Sequence, residues 1–162
     1  MRLVYFVVTA FVSFQLTCFI QAILHRFIGH RPLIRSIYLS HAGSHHKIYR
    51  PETFEQSTYR KDEASVTHTF VPAAAALAFI AWAVLPFDLW LAAIASLTIT
   101  FLLHVYLHAQ FHIEGSRLNR FSWFRERKEL HRQHHMDPTT NFGVLEFSYD
   151  RLMGTLMMRG KA

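Results

Sequence analysis

The strongest constraint on this chain is a run of 22 residues, Leu3–Leu24 (LVYFVVTAFVSFQLTCFIQAIL), without one charged side chain. At a rise of about 1.5 Å per residue, roughly 20 helical residues span the hydrocarbon core of a bilayer. Lipid offers no partner for backbone N–H and C=O groups, so such a run must satisfy them internally, as a helix does. A cleaved signal peptide is the competing reading. Its apolar region would be shorter, however, and no small-x-small cleavage site precedes His25. The run predicts a retained membrane helix.

A second apolar block, from Phe70 to about Leu107, is too long for one span and is interrupted by Pro86-Phe87-Asp88. Proline and an acid suit an interfacial turn, so the block predicts a helical hairpin with spans at about 70–85 and 89–107. Pro72 is expected in the first turn of its helix, where a missing amide costs little. The composition agrees: 51% of residues are hydrophobic and only 17% charged, and the apolar residues come in blocks. The expected fold is an all-α integral membrane protein, one domain over 1–162. About three to four transmembrane helices would carry a cytoplasmic histidine-rich helical cap formed by segments 25–69 and 108–162.

Charge sets the expected orientation. Sixteen of the 17 Lys and Arg residues lie in Arg26–Lys61 or from Arg117 onward. The positive-inside rule then puts the N-terminus and the Asp88 turn outside and both polar segments in the cytoplasm. The net charge of +6 fits a membrane surface. No nucleic-acid motif accompanies it, so no nucleic acid is expected as a partner. The single cysteine, Cys18, excludes an internal disulfide and a cysteine-rich zinc site.

In the second polar segment, SWFRERKELHRQHH predicts a helix capped by Ser122, supported by an Arg125–Glu129 pair and ended by Asp137-Pro138. The tail NFGVLEFSYDRLMGTLMM, rich in aromatics and methionines, is expected to pack under a site or lie in the interface.

Twelve histidines are far more than packing requires. Four groups stand out: His25-x4-His30, His41-x3-His45-His46, His104-x3-His108 and His131-x2-His134-His135. In the last three, helical spacing brings imidazoles to a common face. The first pair is five apart and needs a bend, for which Gly29 is available. Ten neutral nitrogen ligands are too many for one ion and suit two metals with about five each, a number acceptable to iron but high for structural zinc. Such a centre leaves room for dioxygen and suits attack on an unactivated C–H bond. His68 and His112 fall outside the pattern and read as packed or surface residues, although His112 continues the His104, His108 face and could serve behind the ligands. A pH-sensing cluster is one competing reading. A metal-transport or storage protein is another, but transporters usually place ligands within their spans.

The four boxes in this order resemble the membrane fatty acid hydroxylase superfamily of histidine-rich di-iron enzymes, and most of all its fatty acid 2-hydroxylase branch. HRFIGH resembles the H-x4-H box. HAGSHH is similar to the second box with one extra residue, since H-x2-HH is usual. HVYLH resembles the H-x3-H box, and ELHRQHH with NFGVLEFSYDRLMGT resembles the terminal box and tail, the whole covering about residues 20–156. The resemblance implies hydroxylation of a lipid acyl chain, with dioxygen as co-substrate and two iron ions for which zinc may substitute in purified protein. The implied ligands are His25, His30, His41, His45, His46, His104, His108, His131, His134 and His135. Asn141, Asp150, His68 and His112 are the candidates for support behind them. The family commonly shows four spans where three are clear here. With no fused haem domain, electrons are expected from a separate cytochrome b5-like or ferredoxin-like donor.

The short chain is also similar to carotenoid ring hydroxylases of the same superfamily. A carotenoid or other terpenoid hydroxylase and a lipid desaturase stand as alternatives, with a non-enzymatic membrane metal-binding protein as the alternative of another class. A basic face around Arg117, Arg120, Arg125, Arg127 and Lys128 is the expected donor-docking surface, with plain membrane adhesion an equal reading of the same charges. Phe101, Tyr106 and Phe111 are the expected lining of a lateral path for the acyl chain, unless they simply pack.

Overall fold

The computed structural model describes residues 2–60 and 64–158, with backbone only for 64–69. The helices are α1 (Arg2–Leu24), α2 (Arg35–Ser40), α3 (His46–Ile48), α4 (Ala64–Val84), α5 (Phe87–Phe111), α6 (Ser122–Met136) and α7 (Ser148–Leu152). Two wide π-type turns, His25–Gly29 and His41–His45, follow α1 and α2. Among the described residues, extended pairing is limited to one bridge between Gln56 and Ile113.

Among the described residues, two helices are long and apolar enough to cross a membrane: Arg2–Gly29, with mean hydropathy 2.1, and Phe87–Phe111, with 1.8. Leu3, Val7 and Phe11 on the first, and Ile99 and Leu102 on the second, are exposed. Contiguous apolar surface of this extent marks a membrane or protein partner rather than water. The third apolar stretch, Phe70–Val84 within α4, is shorter.

α1 and α5 run parallel. Ser96 Oγ donates to the Ala10 carbonyl at 2.7 Å, and further along both helices Cys18 and Leu107 share one core cluster. The seam is made of small or slender residues, with Thr17, Ala22, Ala93 and Thr100 buried; small side chains let helices approach closely where lipid supplies no hydrophobic drive. α4 runs antiparallel to α5: Trp90 Nε1 donates to the Ala78 carbonyl at 3.1 Å, and Phe70 stacks on Phe101 at 5.0 Å.

The Pro86 interruption is a turn as expected, with Pro86 immediately preceding α5. Three local expectations differ. Pro72 lies inside α4, because the mixed residues from Ala64 add turns ahead of the apolar stretch. Ser122 is the first residue of α6 rather than its cap, and the extended Phe121 precedes it without a capping side chain. Arg125 donates to the Asn119 carbonyl at 2.7 Å, while Glu129 pairs with Arg132 at 2.7 Å.

The tail packs inward. Val144 and Leu145 join Phe111 and Phe124 in one cluster, and Phe142 and Tyr149 join Ala22 in the other. These contacts fasten the end of the chain beneath the C-terminal ends of α1 and α5, where the histidines gather.

Candidate metal centre

Among the described residues, ten imidazoles form two groups, in each of which the ligand atoms lie within 4.8 Å of one another. The first holds His25, His30, His41, His46 and His134; the second holds His45, His108, His112, His131 and His135. Each consecutive pair is split between the groups, His45 from His46 and His134 from His135. Neighbours on a helix diverge by about 100°, so a histidine pair on one element serves two adjacent centres.

The π-type turns set the register of the first group. His25 and His30 are five apart, and His30 N–H donates to the His25 carbonyl at 3.2 Å, an i to i+5 bond. His41 and His46 stand in the same relation across the second turn, where the His46 N–H reaches the His41 carbonyl. A π-turn places residues five apart over one another, as an α-helix does residues four apart. The departure from regular helix that this pair needs is the wide turn itself, of which Gly29 is the last residue. Gly29 also serves by its missing side chain, since a Cβ there would stand 3.1 Å from His41 Cδ2.

Backbone carbonyls fix the tautomers. His25 Nδ1–H donates to Phe142 O at 2.7 Å and His134 Nδ1–H to Thr140 O at 2.6 Å. In the second group, His135 Nδ1–H donates to Tyr49 O at 2.7 Å and His112 Nδ1–H to Phe54 O at 3.0 Å. A carbonyl only accepts, so each of these rings carries its proton on Nδ1 and presents a bare lone pair at Nε2.

Those lone pairs converge. His25 Nε2 lies 2.8 Å from His41 Nε2 and 3.2 Å from His30 Nε2, which is 3.0 Å from His134 Nε2. In the second group, His131 Nε2 lies 3.2 Å from His112 Nε2 and 3.1 Å from His135 Nε2. Two rings locked as acceptors cannot both be satisfied by one neighbour's proton. His46 Nε2 is buried with no hydrogen-bond partner. A cation resolves this arrangement.

The spacing fits a metal. Ligands about 2.0–2.1 Å from an ion are separated by about 2.9 Å at right angles and about 3.3 Å in a tetrahedron. The observed contacts, from 2.8 to 3.2 Å, span these spacings, as nitrogen ligands of a common ion would. Burial, and after it the neighbouring imidazoles, holds His30, His41, His46, His131 and His135 well below the usual imidazole range. Burial does the same for His134. These rings are neutral at physiological pH, the form that binds metal.

Nine of the ten expected ligands fall in the two groups. His104 does not; it stands one turn back on α5, its ring 6.0 Å from that of His108. His112, expected behind the ligands, takes the remaining place in the second group. The side chain of His68 lies outside the described residues.

Asn141 and Asp150 sit behind the first group and bond to the backbone there. Asp150 accepts from the Phe142 and Gly143 N–H groups at 2.8 Å each and from Thr155 Oγ1 at 2.7 Å. This aims the Phe142 carbonyl at His25. Asn141, at a left-handed φ of 52°, donates to the Leu130 and Met157 carbonyls and accepts from Met157 N–H. It thereby pins the neighbouring Thr140 carbonyl under His134. The acceptors Tyr49, Phe54, Thr140 and Phe142 were not legible in the sequence, because any residue supplies a carbonyl. Tyr49 adds a ring stacked 4.0 Å from that of His112.

Two surface expectations change. Lys128 is buried and bonded to Glu55, so it is not part of an exposed basic face; Arg117, Arg120 and Arg125 are exposed, and half-buried Arg127 donates to the Leu145 carbonyl. Phe111 is fully buried against Phe124 in the core, at 5.2 Å between rings, which removes it from any lateral path.

No curated protein and no solved structure matches the chain. The family model described as fatty acid hydroxylase matches residues 7–155, nearly its whole length. With two apolar helices of membrane-crossing length and two histidine groups able to hold metal, the chain belongs to the fatty acid hydroxylase family, membrane-associated oxidoreductases.

Proposed function

We propose that the protein is an oxygen-dependent hydroxylase of a lipid acyl chain, working at two iron ions. His25, His30, His41, His46 and His134 would hold one ion, and His45, His108, His112, His131 and His135 the other. The observation that carries this reading is the convergence of lone pairs in two adjacent five-imidazole groups. Bound there, iron supplies the reduction of dioxygen and the oxidising power that an unactivated C–H bond requires.

The chain's own residues do the rest. The carbonyls of Phe142, Thr140, Tyr49 and Phe54 hold four rings in the metal-binding tautomer. Phe54 and Phe142, both buried, edge onto these rings and keep water from the groups. The acyl chain would approach from lipid along the exposed side of α5, where Tyr106 lies. Electrons would come from a separate small protein at the exposed arginines Arg117, Arg120 and Arg125.

Three crossings are the topology that this reading needs. Parallel α1 and α5 can both span only if the segment between them returns through the bilayer, and antiparallel α4 is the helix placed to do so. The N-terminus would then lie outside and the histidine groups at the cytoplasmic face.

The test is mass spectrometry of lipids from cells with and without the gene, followed by iron-loaded protein with a reductant, a donor and isotopically labelled dioxygen. The expected product is an acyl chain carrying one labelled oxygen atom. Label arriving only from water would overturn the mechanism. A new double bond without label would replace hydroxylation by desaturation, and metal content near zero would sink the enzyme reading altogether.

A further inference from the structure

We infer that the ion pair between buried Lys128 and the more exposed Glu55 is a lock for the second histidine group alone: it holds the strap whose carbonyls set the His112 and His135 tautomers. This rests on the proposal that each group holds its own ion.

The strap is the segment 49–56, which crosses behind the second group. Its Tyr49 and Phe54 carbonyls accept from His135 and His112. The buried side chains of Tyr49 and Phe54 pack inward, while the segment's own hydrogen bonds are short-range turns between Arg50 and Thr53. Two polar features also tie it to the body of the protein. Gln56 N–H donates to the His112 carbonyl, and Glu114 N–H to the Gln56 carbonyl, at 2.9 Å each. Lys128, projecting from α6, donates to Glu55 Oε2 at 2.6 Å, to the Ile113 carbonyl at 3.3 Å and to Asn119 Oδ1 at 3.4 Å.

Three acceptors exhaust the donors of an ammonium group, and Lys128 is only 7% exposed. Burying that charge is costly, and an apolar side chain of similar length would pack in its place. A positive charge also gives nothing to a neighbouring cation site. What the pair supplies is position. It joins the strap, the end of α5 and α6, the three segments that carry the second group's rings and their acceptors, apart from His45.

The first group has a different fastening. Its acceptors, Thr140 and Phe142, are held by Asn141 and Asp150, and Lys128 touches neither. Loss of the pair should therefore loosen one ion and leave the other.

The experiment measures bound iron and its release to a chelator in the full-length protein purified in detergent. Glu55→Gln is the first variant, because Glu55 is partly exposed and its replacement spares the fold; Lys128→Met is the second. Each is made in the wild-type chain, in His25→Ala and in His135→Ala. In wild type, Glu55→Gln should speed release of one ion about 10–100-fold and leave the other unchanged. In His25→Ala, which retains only the second-group ion, it should speed release of that ion; in His135→Ala it should change nothing. Lys128→Arg, which keeps charge and donors, should restore retention lost in Lys128→Met. Equal release from both ions, or no change in either, overturns the lock. A wild-type protein that holds fewer than two ions overturns instead the proposed centre on which the lock depends.

Discussion

On α5, His108 has one histidine a turn before it, His104, and another four residues after it, His112, just past the end of the helix. Both pairs are spaced four apart, so sequence periodicity fits either, and spacing alone favours the pair deeper in the apolar block as readily as the pair at its end. The choice is made by α6 and the strap, which meet α5 at its last turn. There His131 Nε2 lies 3.2 Å from His112 Nε2 and the Phe54 carbonyl takes the His112 Nδ1 proton. His112→Ala should therefore reduce bound metal from two ions to about one, while His104→Ala should retain both; elemental analysis of the two purified variants checks this, and metal loss confined to His104→Ala would reverse the assignment. Gly143 is a second residue whose role is steric. A Cβ there would stand 2.2 Å from the Glu146 carbonyl oxygen, so Gly143 permits the close turn that brings the Phe142 and Gly143 amides onto Asp150. Legibility at this scale follows chemistry. Imidazoles announce themselves by type and spacing, and nine of the expected ten sit in the groups. Carbonyl acceptors and a glycine chosen for its missing atom leave no such signal.

The π-type turns explain an irregular motif at the level of the element. HAGSHH carries one residue more than the usual H-x2-HH spacing, and in an unbroken α-helix that extra residue would rotate His46 away from His41. The wide turn His41–His45 absorbs it: an i to i+5 bond returns His46 to the face of His41, while His45 turns toward the second group. The same device pairs His25 with His30 at the end of α1. Neither turn could be read from local preference, because π-turns are rare and are held by the contacts around them. A direct consequence is that removing one residue should convert the second turn to α-helix and keep both histidines on their faces. Deletion of Gly43, whose position meets only ordinary contacts with Leu39 and Tyr38, should leave two ions bound. Insertion of an alanine at the same place should release at least one. Metal analysis of both variants decides it. Loss of metal on deletion would mean that the wide turn does more than accommodate an extra residue.

For the whole molecule, the parallel course of α1 and α5 turns a count of apolar segments into a topological argument. Both helices end beside the histidines, just before His25 and just before His112. If both cross, α4 must cross between them, although its apolar stretch Phe70–Val84 is shorter than the other two. The mixed residues 64–69 at its start lengthen the helix to 21 residues, or about 31 Å, enough for a bilayer core of about 30 Å. The apolar blocks and Pro86 lead to about three to four spans, and charge placement to their orientation; neither reveals that α1 and α5 are parallel, which depends on seam contacts such as Ser96 with Ala10. Labelling tests the result. Cys18 is only 5% exposed and lies within α1, so reporter cysteines meet little background. Ser36, Phe87 and Ser122 are all exposed in the structure and report the first polar segment, the hairpin turn and α6. A membrane-impermeant thiol reagent applied to intact cells should modify Phe87→Cys alone. After permeabilisation it should modify all three. Modification of Phe87→Cys together with Ser122→Cys would make α5 a non-crossing helix and leave the second histidine group outside, away from cytoplasmic reductant. Modification of Ser36→Cys and Ser122→Cys but not Phe87→Cys would invert the whole molecule and require an external electron source.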